Sequence, residues 1–181
     1  KNKYSNHDLT KFIDTSDEWI TKRSGIKSRH FVSKNELTSD LAVNAALKAI
    51  KTANLNIQDI DLIIVATTTP DNSFPSTATK VQQKLGINGI AFDVQAVCAG
   101  FVFALSVACS MMKDNHSKNC LVIGADSMSK LLNWNDRATS VLFGDGAGAV
   151  VLQKEDNKDN NLNDWGILSN VIHSDGRYYD L

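Results

Sequence analysis

The sequence predicts an α/β protein built on a largely parallel sheet. The apolar run Leu62–Ala66 is rich in β-branched residues and lies between Asp61 and the Thr67–Thr69 cluster. Such a run predicts a central strand that is covered on both faces. Two further strand-like segments, Ile90–Val94 and Cys120–Ala125, follow it, with helix-like segments between them. Strands that alternate with helices are typical of parallel βαβ units.

Composition and charge exclude several classes of protein. The 181 residues are 43% hydrophobic and 22% charged, which is enough for a buried core. A net charge of -1 gives no overall attraction to nucleic acid or to an anionic membrane. The three cysteines are widely spaced and lack neighbours at metal-ligand spacing, so we expect reduced thiols, no metal and a cytoplasmic protein. The apolar stretch Val97–Met112 is too short to span a membrane and predicts a buried helix.

Capping signals predict the first two helices. Thr15–Glu18 matches a capping box, which predicts a short helix from Trp19 to about Ser24 that ends at Gly25. Thr38 is expected to cap a longer helix. The apolar residues that fall on one face of that helix are Leu41, Ala42, Ala45, Ala46, Ala49 and Ile50.

Two further helices are predicted after residue 75. Pro75 precedes a third predicted helix, from about Ser76 to Leu85, which Gly86 ends, and a fourth helix is predicted from Ala99 to about Asp114.

The last part of the chain is predicted to be a hairpin. Two β-rich segments, Ala147–Gln153 and Gly166–Ile172, flank the polar stretch Glu155–Asp164. A polar connection between two such segments most simply closes an antiparallel hairpin.

Cys98 is the candidate nucleophile. It follows the strand that ends at Val94 and lies at the start of the helix that begins near Ala99. Unpaired N–H groups at a helix start stabilise a thiolate. A buried structural cysteine is the alternative, but the strand-to-helix position favours the nucleophile. Cys109 and Cys120 lie among apolar residues and are expected in the core.

Two other clusters leave alternatives open. The glycine-rich segment 143–149 runs into the strand-like Val150–Leu152 and not into a helix, so its pattern is only a weak match to a dinucleotide-binding loop. Its glycines more plausibly allow the backbone to approach a neighbouring strand or the floor of a site closely. Trp19 stands near Lys22 and Arg23. Such a cluster suits a stacked nucleotide, although these residues alone favour a solvated helix face with one anchoring aromatic.

Several stretches carry a further signal when they are taken in order. They are Asp14–Ile20 with Arg23 and Gly25–Ile26, Phe74–Ser76, Phe92–Val94, Cys98–Phe101, Asp136–Arg137, Phe143–Ala149 and His173–Gly176. Together they resemble the condensing enzymes of the thiolase superfamily, and within it the β-ketoacyl-acyl-carrier-protein synthase III family.

The resemblance implies a layered αβαβα fold made of two similar halves and a homodimeric assembly. Residues 1–181 would form the N-terminal thiolase-like half, and the C-terminal half, with the catalytic His and Asn of the family, is expected outside this chain. Cys98 would carry the acyl group as a thioester. The substrate contacts that the resemblance assigns are Trp19 and Arg137 around the adenine of coenzyme A, Thr15 and Arg23 beside them, and Leu142 and Phe74 at the acyl pocket, with Phe74 reaching across the dimer interface.

The implied activity is a decarboxylating Claisen condensation of an acyl-CoA starter, usually acetyl-CoA, with malonyl-acyl carrier protein. It would initiate fatty acid synthesis without a metal or a cofactor other than the coenzyme A thioester that serves as substrate. A related acyltransferase remains an alternative, namely a polyketide starter synthase or a hydroxymethylglutaryl-CoA synthase-like protein. A non-catalytic nucleotide-binding module is the alternative from another class, and it predicts an unreactive Cys98.

Overall fold

The computed structural model of the chain describes residues 2–154 and 166–180. The α-helices in these residues are α1 (Asn6–Leu9), α2 (Asp17–Ser24), α3 (Thr38–Thr52), α4 (Thr77–Leu85), α5 (Gly100–Lys113) and α6 (Arg137–Ser140). The strands are β1 (Asn2–Ser5), β2 (Ser28–Phe31), β3 (Leu62–Ala66), β4 (Ile90–Val94), β5 (Asn119–Ser127) and β6 (Asp145–Gln153). Single 3-10 turns lie at Ile57–Asp59, Val97–Ala99, Met128–Lys130 and Gly176–Tyr178.

The main sheet has four strands in the order β4-β3-β5-β6. β3 runs parallel to both β4 and β5, and β6 closes the row antiparallel to β5. All five residues of β3 are buried, because strands flank it on both sides and helices cover both faces. The predicted central strand and the predicted parallel units are therefore confirmed.

Two apolar cores lie on opposite faces of this sheet. Ile63 and Val65 of β3 face α3 and α4, where they pack with Ala46 and Val81. The alternate residues of β3, including Ile64, pack against α5 on the other face. The sheet is therefore the middle of three layers, and its strand ends are held between two layers of helices.

The first predicted capping box is wrong, although the helix it predicted exists. The helix starts two residues before Trp19, and its N-cap is Ser16, whose hydroxyl accepts a hydrogen bond from Trp19 N at 3.1 Å. The cap is thus one residue after Thr15, and Glu18 is too close to it to complete the box. Gly25 ends the helix in the left-handed conformation, with a φ of 72°.

The predicted cap of the long helix is also wrong. Thr38 is the first helical residue of α3, and the N–H of Leu37 before it donates to Asp40 Oδ2 at 2.9 Å. The Thr38 hydroxyl points inward and donates to the carbonyl oxygen of Thr69 at 2.6 Å. A tertiary partner therefore replaces the local cap, whereas the predicted bounds of α4 between Ser76 and Gly86 are confirmed.

The predicted C-terminal hairpin is wrong in its second strand. β6 forms as predicted, but its partner is β5. Gly166–Ile172 forms no strand; it is exposed, and Asn170 reaches α5 by donating its side-chain amide to the carbonyl oxygen of Val102 at 3.3 Å. The predicted loop Glu155–Asp164 lies outside the described residues.

A second, smaller sheet is absent from the sequence prediction. β1 and β2 pair antiparallel, with Asn2 opposite Phe31 and Ser5 opposite Ser28. The ribbon covers a third apolar cluster, whose buried members are Leu9, Ile13, Ile20, Phe31 and Val141. This cluster joins α2 to the segment that follows α6.

The most apolar helix, α5, is less buried than predicted. Only one stripe, Gly100, Ala104, Ala108 and Met112, is buried, whereas Val102 is 43% exposed. No helix in residues 2–154 or 166–180 has both the length and the apolar character that a membrane crossing requires.

Candidate active site

Cys98 lies on a strained turn between β4 and α5. The strand ends at Val94, the 3-10 turn Val97–Ala99 follows, and α5 begins at Gly100. Val97 has a φ of 48°, a left-handed conformation that is unusual for a β-branched residue. The turn leaves the Cys98 side chain exposed at the start of the helix.

A cavity of about 370 Å³ opens at Cys98. Its walls are mostly small or apolar, and they comprise Thr68, Val97, Cys98, Gly124, Ala125, Asp126, Met128, Phe143, Gly144, Gly146, Ala147 and Gly148. The glycine-rich segment thus contributes a wall of this cavity, one of the two roles that its sequence suggested. It leads into β6 and not into a helix, so it lacks the strand-to-helix geometry of a dinucleotide loop.

The strand ends beneath the cavity are fixed by a polar network. Asp126 Oδ1 accepts hydrogen bonds from Thr68 N at 2.8 Å and from the Thr69 hydroxyl at 3.1 Å. The Thr69 hydroxyl in turn accepts from Ser127 N at 2.8 Å. Asp126 was not predicted as a site residue from the sequence. It could have been found as an acidic residue at the end of a predicted strand, parallel to the strand that ends in the threonine cluster.

The segment that leads to Cys98 is anchored from the other side. Asp93, in the edge strand β4, accepts hydrogen bonds from Thr77 N and Ala78 N, both at 2.7 Å. These N–H groups belong to the first turn of α4 and have no partners inside the helix. Asp93 therefore ties the strand before Cys98 to the start of α4.

Trp19 and two arginines meet at a second position. The guanidinium carbon of Arg23 lies 4.3 Å from the Trp19 ring centroid, and that of Arg137 lies 5.0 Å from it. Arg137 also donates from Nη1 to the carbonyl oxygen of Asp14 at 2.9 Å. A base stacked between indole and guanidinium needs about 7 Å between them. Arg137 must therefore swing away before a base can enter.

The other residues with predicted substrate contacts are more dispersed. Thr15 lies before α2, and its buried hydroxyl has no hydrogen-bond partner in the described segments. Leu142 is 47% exposed and Phe74 is 85% exposed. Neither of them is among the residues that line the cavity at Cys98. The structure thus brings Trp19, Arg23 and Arg137 together but does not bring Leu142 or Phe74 to the thiol.

Cys98 and Cys120 lie in the environments that the sequence predicts, whereas Cys109 was expected in the core and is only partly buried, because α5 buries a single stripe that excludes it. Cys120 is fully buried in β5, and burial raises the pKa of its thiol to about 12. Cys109 is half-buried on α5, whereas Cys98 is exposed. Cys109 also lines a cavity, on the far part of α5, but Cys98 is the most exposed of the three thiols and lies at the cavity that the glycine-rich segment helps to form.

Comparisons with known proteins agree with this geometry. The family model described as 3-oxoacyl-[acyl-carrier-protein (ACP)] synthase III matches residues 92–176. The β-ketoacyl-[acyl-carrier-protein] synthase III of Neisseria gonorrhoeae is 59% identical over 182 residues, which cover 99% of this chain and 55% of that protein. The protein of the same name from Paramagnetospirillum magneticum is 56% identical over 178 residues, which cover 98% of this chain and 55% of that protein.

A solved structure gives the same result. The 3-oxoacyl-[acyl-carrier-protein] synthase III of Aquifex aeolicus superposes with a TM-score of 0.80 at 50% identity, over 87% of this chain and 51% of that one. The expected thiolase-like α/β fold is therefore confirmed for the part that this chain covers. The chain spans about half the length, 55%, of the curated relatives it matches. Over the residues it covers, this chain matches proteins named 3-oxoacyl-[acyl-carrier-protein] synthase III in both sequence and fold.

Proposed function

We propose that the protein, in its natural full length, condenses an acyl-CoA starter with malonyl-acyl carrier protein and so initiates fatty acid synthesis. The observation that carries the proposal is Cys98, which is exposed on a strained turn at the mouth of a cavity. A strained turn at the start of a helix is a suitable mount for a nucleophile, because it projects the side chain away from the backbone.

In the first half-reaction the Cys98 thiolate attacks the carbonyl carbon of the acyl-CoA thioester. A carbon–sulfur bond to Cys98 forms, the bond to the coenzyme A sulfur breaks, and that sulfur leaves as a thiolate that takes up a proton. The small residues of the cavity wall, Gly144 and Gly146 among them, leave space for the acyl group beside the sulfur.

In the second half-reaction malonyl-acyl carrier protein loses carbon dioxide as the bond to its carboxylate breaks. The enolate that remains attacks the thioester carbon, the new carbon–carbon bond forms, and the Cys98 thiolate leaves. An enolate requires hydrogen-bond donors for its oxygen. We assign that role to a His and an Asn in a second half of the protein, for which residues 1–181 form the N-terminal partner.

Coenzyme A is proposed to bind at Trp19. A cation and an indole ring attract each other and together offer two flat surfaces to a base. Arg137 would release Asp14 and close over the adenine, with Arg23 and Thr15 as neighbouring contacts. The distances of 4.3 and 5.0 Å from the two guanidinium carbons to the indole support this assignment in one respect: both cations lie beside the ring, so that a swing of Arg137 away from it would open a space for the base.

The acyl pocket is proposed to be completed by Leu142 and by Phe74 of a second copy. Two observations support a homodimer: Phe74 is 85% exposed, and β4 is an edge strand without a partner on its outer side in the described residues. Three free cysteines favour a cytoplasmic, reducing setting. We propose no metal or cofactor besides the coenzyme A thioester.

The proposal is tested by supplying labelled acetyl-CoA and malonyl-acyl carrier protein to the full-length protein. We expect labelled ketoacyl product and an equal release of carbon dioxide. Cys98→Ser should abolish both, whereas the matched variant Cys109→Ser should retain them. Product formation by Cys98→Ser, or none by the parent protein, would contradict the proposal.

A further inference from the structure

Arg29 is a buried cation whose two partners are neutral. It is 6% exposed, and it donates from Nη1 to Asn6 Oδ1 at 2.6 Å and from Nη2 to the carbonyl oxygen of Val141 at 2.8 Å. Its Nε has no acceptor within the part of the chain that the structure describes. Burying an arginine without a carboxylate beside it is costly. The hydrogen bonds that the guanidinium donates must therefore offset the cost of its burial.

One arm of Arg29 reaches the wall of the Cys98 cavity. The Val141 carbonyl that it binds lies just before Phe143 and Gly144, both of which line that cavity. The stem of the side chain also supports this wall, since a Cβ added at Gly144 would lie 2.9 Å from Arg29 Cβ. Arg29 thus anchors the wall by a hydrogen bond and supports it by direct packing.

The other arm reaches the helix that carries Trp19. Asn6 is 1% exposed, and its side-chain amide donates to Asp17 Oδ1 at 2.8 Å and to the carbonyl oxygen of Ile26 at 2.7 Å. Asp17 is the first residue of α2, and Ile26 follows its C-cap. A continuous set of hydrogen bonds therefore joins α2 to the cavity wall.

We propose that Arg29 is a positioning residue that fixes the Phe143–Gly144 wall relative to α2 and thereby limits the length of the acyl chain that Cys98 accepts. A wall restrained by a buried hydrogen bond resists displacement by an extra methylene group, and a wall without that restraint yields. This inference rests on the proposed acylation of Cys98, but it adds a residue that touches neither substrate nor thiol.

The test compares Arg29→Met with Arg29→Lys in the full-length protein. Methionine fills part of the volume but cannot donate a hydrogen bond, whereas lysine keeps the charge and one donor for the Val141 carbonyl. Lys84→Met is the matched control, because Lys84 ties α3 to α4 through Ser39 Oγ at 2.9 Å and Asp40 Oδ1 at 2.5 Å. Neither Arg29 nor Lys84 lines the cavity at Cys98.

The readout is kcat/KM for acylation of Cys98 by acetyl-CoA relative to hexanoyl-CoA. We expect the preference for the shorter chain to fall by about five-fold or more in Arg29→Met, and to be largely rescued in Arg29→Lys. It should stay unchanged in Lys84→Met, even if that variant melts at an equally low temperature. An unchanged preference in Arg29→Met, or an equal loss in Lys84→Met, would overturn the inference.

A second readout does not depend on acyl transfer. The rate of Cys98 alkylation by a bulky phenylmaleimide, relative to iodoacetamide, should rise in Arg29→Met because the wall yields. If the parent protein is not acylated at all, the proposed function fails. If the alkylation ratio of Arg29→Met stays at the parent value, the positioning role of Arg29 fails, whether or not the parent protein is acylated.

Discussion

At the scale of single residues, the exposure of Cys98 depends on the backbone of Val97. A left-handed conformation at a residue other than glycine costs about 1–3 kcal/mol. Val97 gains little from burial in return, since 64% of it is exposed. The rest of the structure must therefore hold this turn, and the anchoring of β4 through Asp93 is one means of doing so.

Replacing Val97 with glycine should separate stability from activity. Glycine relieves the left-handed strain but loses more conformational entropy on folding than valine does. The net effect should be to raise the free energy of unfolding by about 0.5–1.5 kcal/mol. Acylation of Cys98 should slow, because the turn would then sample other conformations. Urea unfolding and acetyl transfer measure the two effects.

Val102→Gly is the matched control for this substitution. Val102 lies inside α5 with ordinary helical geometry, so glycine there should lower the free energy of unfolding by about 1 kcal/mol. Destabilisation of similar size in Val97→Gly would show that the turn is not strained.

Trp19 carries a prediction about binding alone. Trp19→Ala should raise the KM for acetyl-CoA about five- to thirty-fold, which corresponds to a loss of about 1–2 kcal/mol of stacking. The rate at saturating acetyl-CoA should change little, because Trp19 does not line the Cys98 cavity. The control is Phe12→Ala, which removes a half-exposed aromatic ring that packs edge-to-face against Trp134. An unchanged KM in Trp19→Ala would remove this residue from the site.

At the scale of elements, the start of β4 depends on one glycine. Gly89 has a φ of 141°, and a Cβ there would lie 2.2 Å from the carbonyl oxygen of Asp61. That carbonyl also accepts a hydrogen bond from Ile90 N at 3.0 Å, so the contact cannot open without disturbing the β3–β4 pair.

Gly89→Ala should therefore lower the free energy of unfolding by at least about 1–3 kcal/mol, the cost of the backbone strain alone. Gly176→Ala is the control, because a Cβ at Gly176 meets open space. Thermal melts of the two variants measure the difference. If both melted with the parent protein, the close approach at Gly89 would be wrong.

Elements with a strong local signal were predictable from the sequence. β3 followed from its unbroken apolar run, and the ends of α2 and α4 followed from Gly25 and Gly86, which both take the left-handed conformation. The β1–β2 ribbon was not predictable, because its short strands are mostly polar and pair across the intervening α1 and α2. Gly166–Ile172 misled in the opposite sense: its composition is β-rich, but the segment is exposed and pairs with no strand in the described residues.

The candidate site was predictable only where chemistry and spacing coincide. Cys98 could be selected because it alone lies at a strand-to-helix junction. Two features could not be predicted: the left-handed conformation of Val97 and the buried hydrogen bonds that link Asn6 through Arg29 to the cavity wall. Both depend on tertiary contacts between distant segments.

At the scale of the whole molecule, three layers bring separate functional elements together. The central sheet positions Cys98 and Asp126 at one edge, and the β1–β2 ribbon with its small core attaches α2 and Trp19 to the same body. The relatives that this chain matches are named acyl-carrier-protein synthases, and the exposed thiol fits the acyl transfer proposed above. We therefore expect Cys98, and neither of the other two cysteines, to accept an acyl group.

Mass analysis of the full-length protein after incubation with acetyl-CoA tests this claim most directly. We expect one acetyl group on the peptide that contains Cys98 and no acetyl group in Cys98→Ser. Cys109 and Cys120 should remain unmodified, the latter because burial raises the pKa of its thiol to about 12 and keeps it protonated. An acetyl group on Cys109 or Cys120, or a protein that stays unmodified on all three, would contradict it.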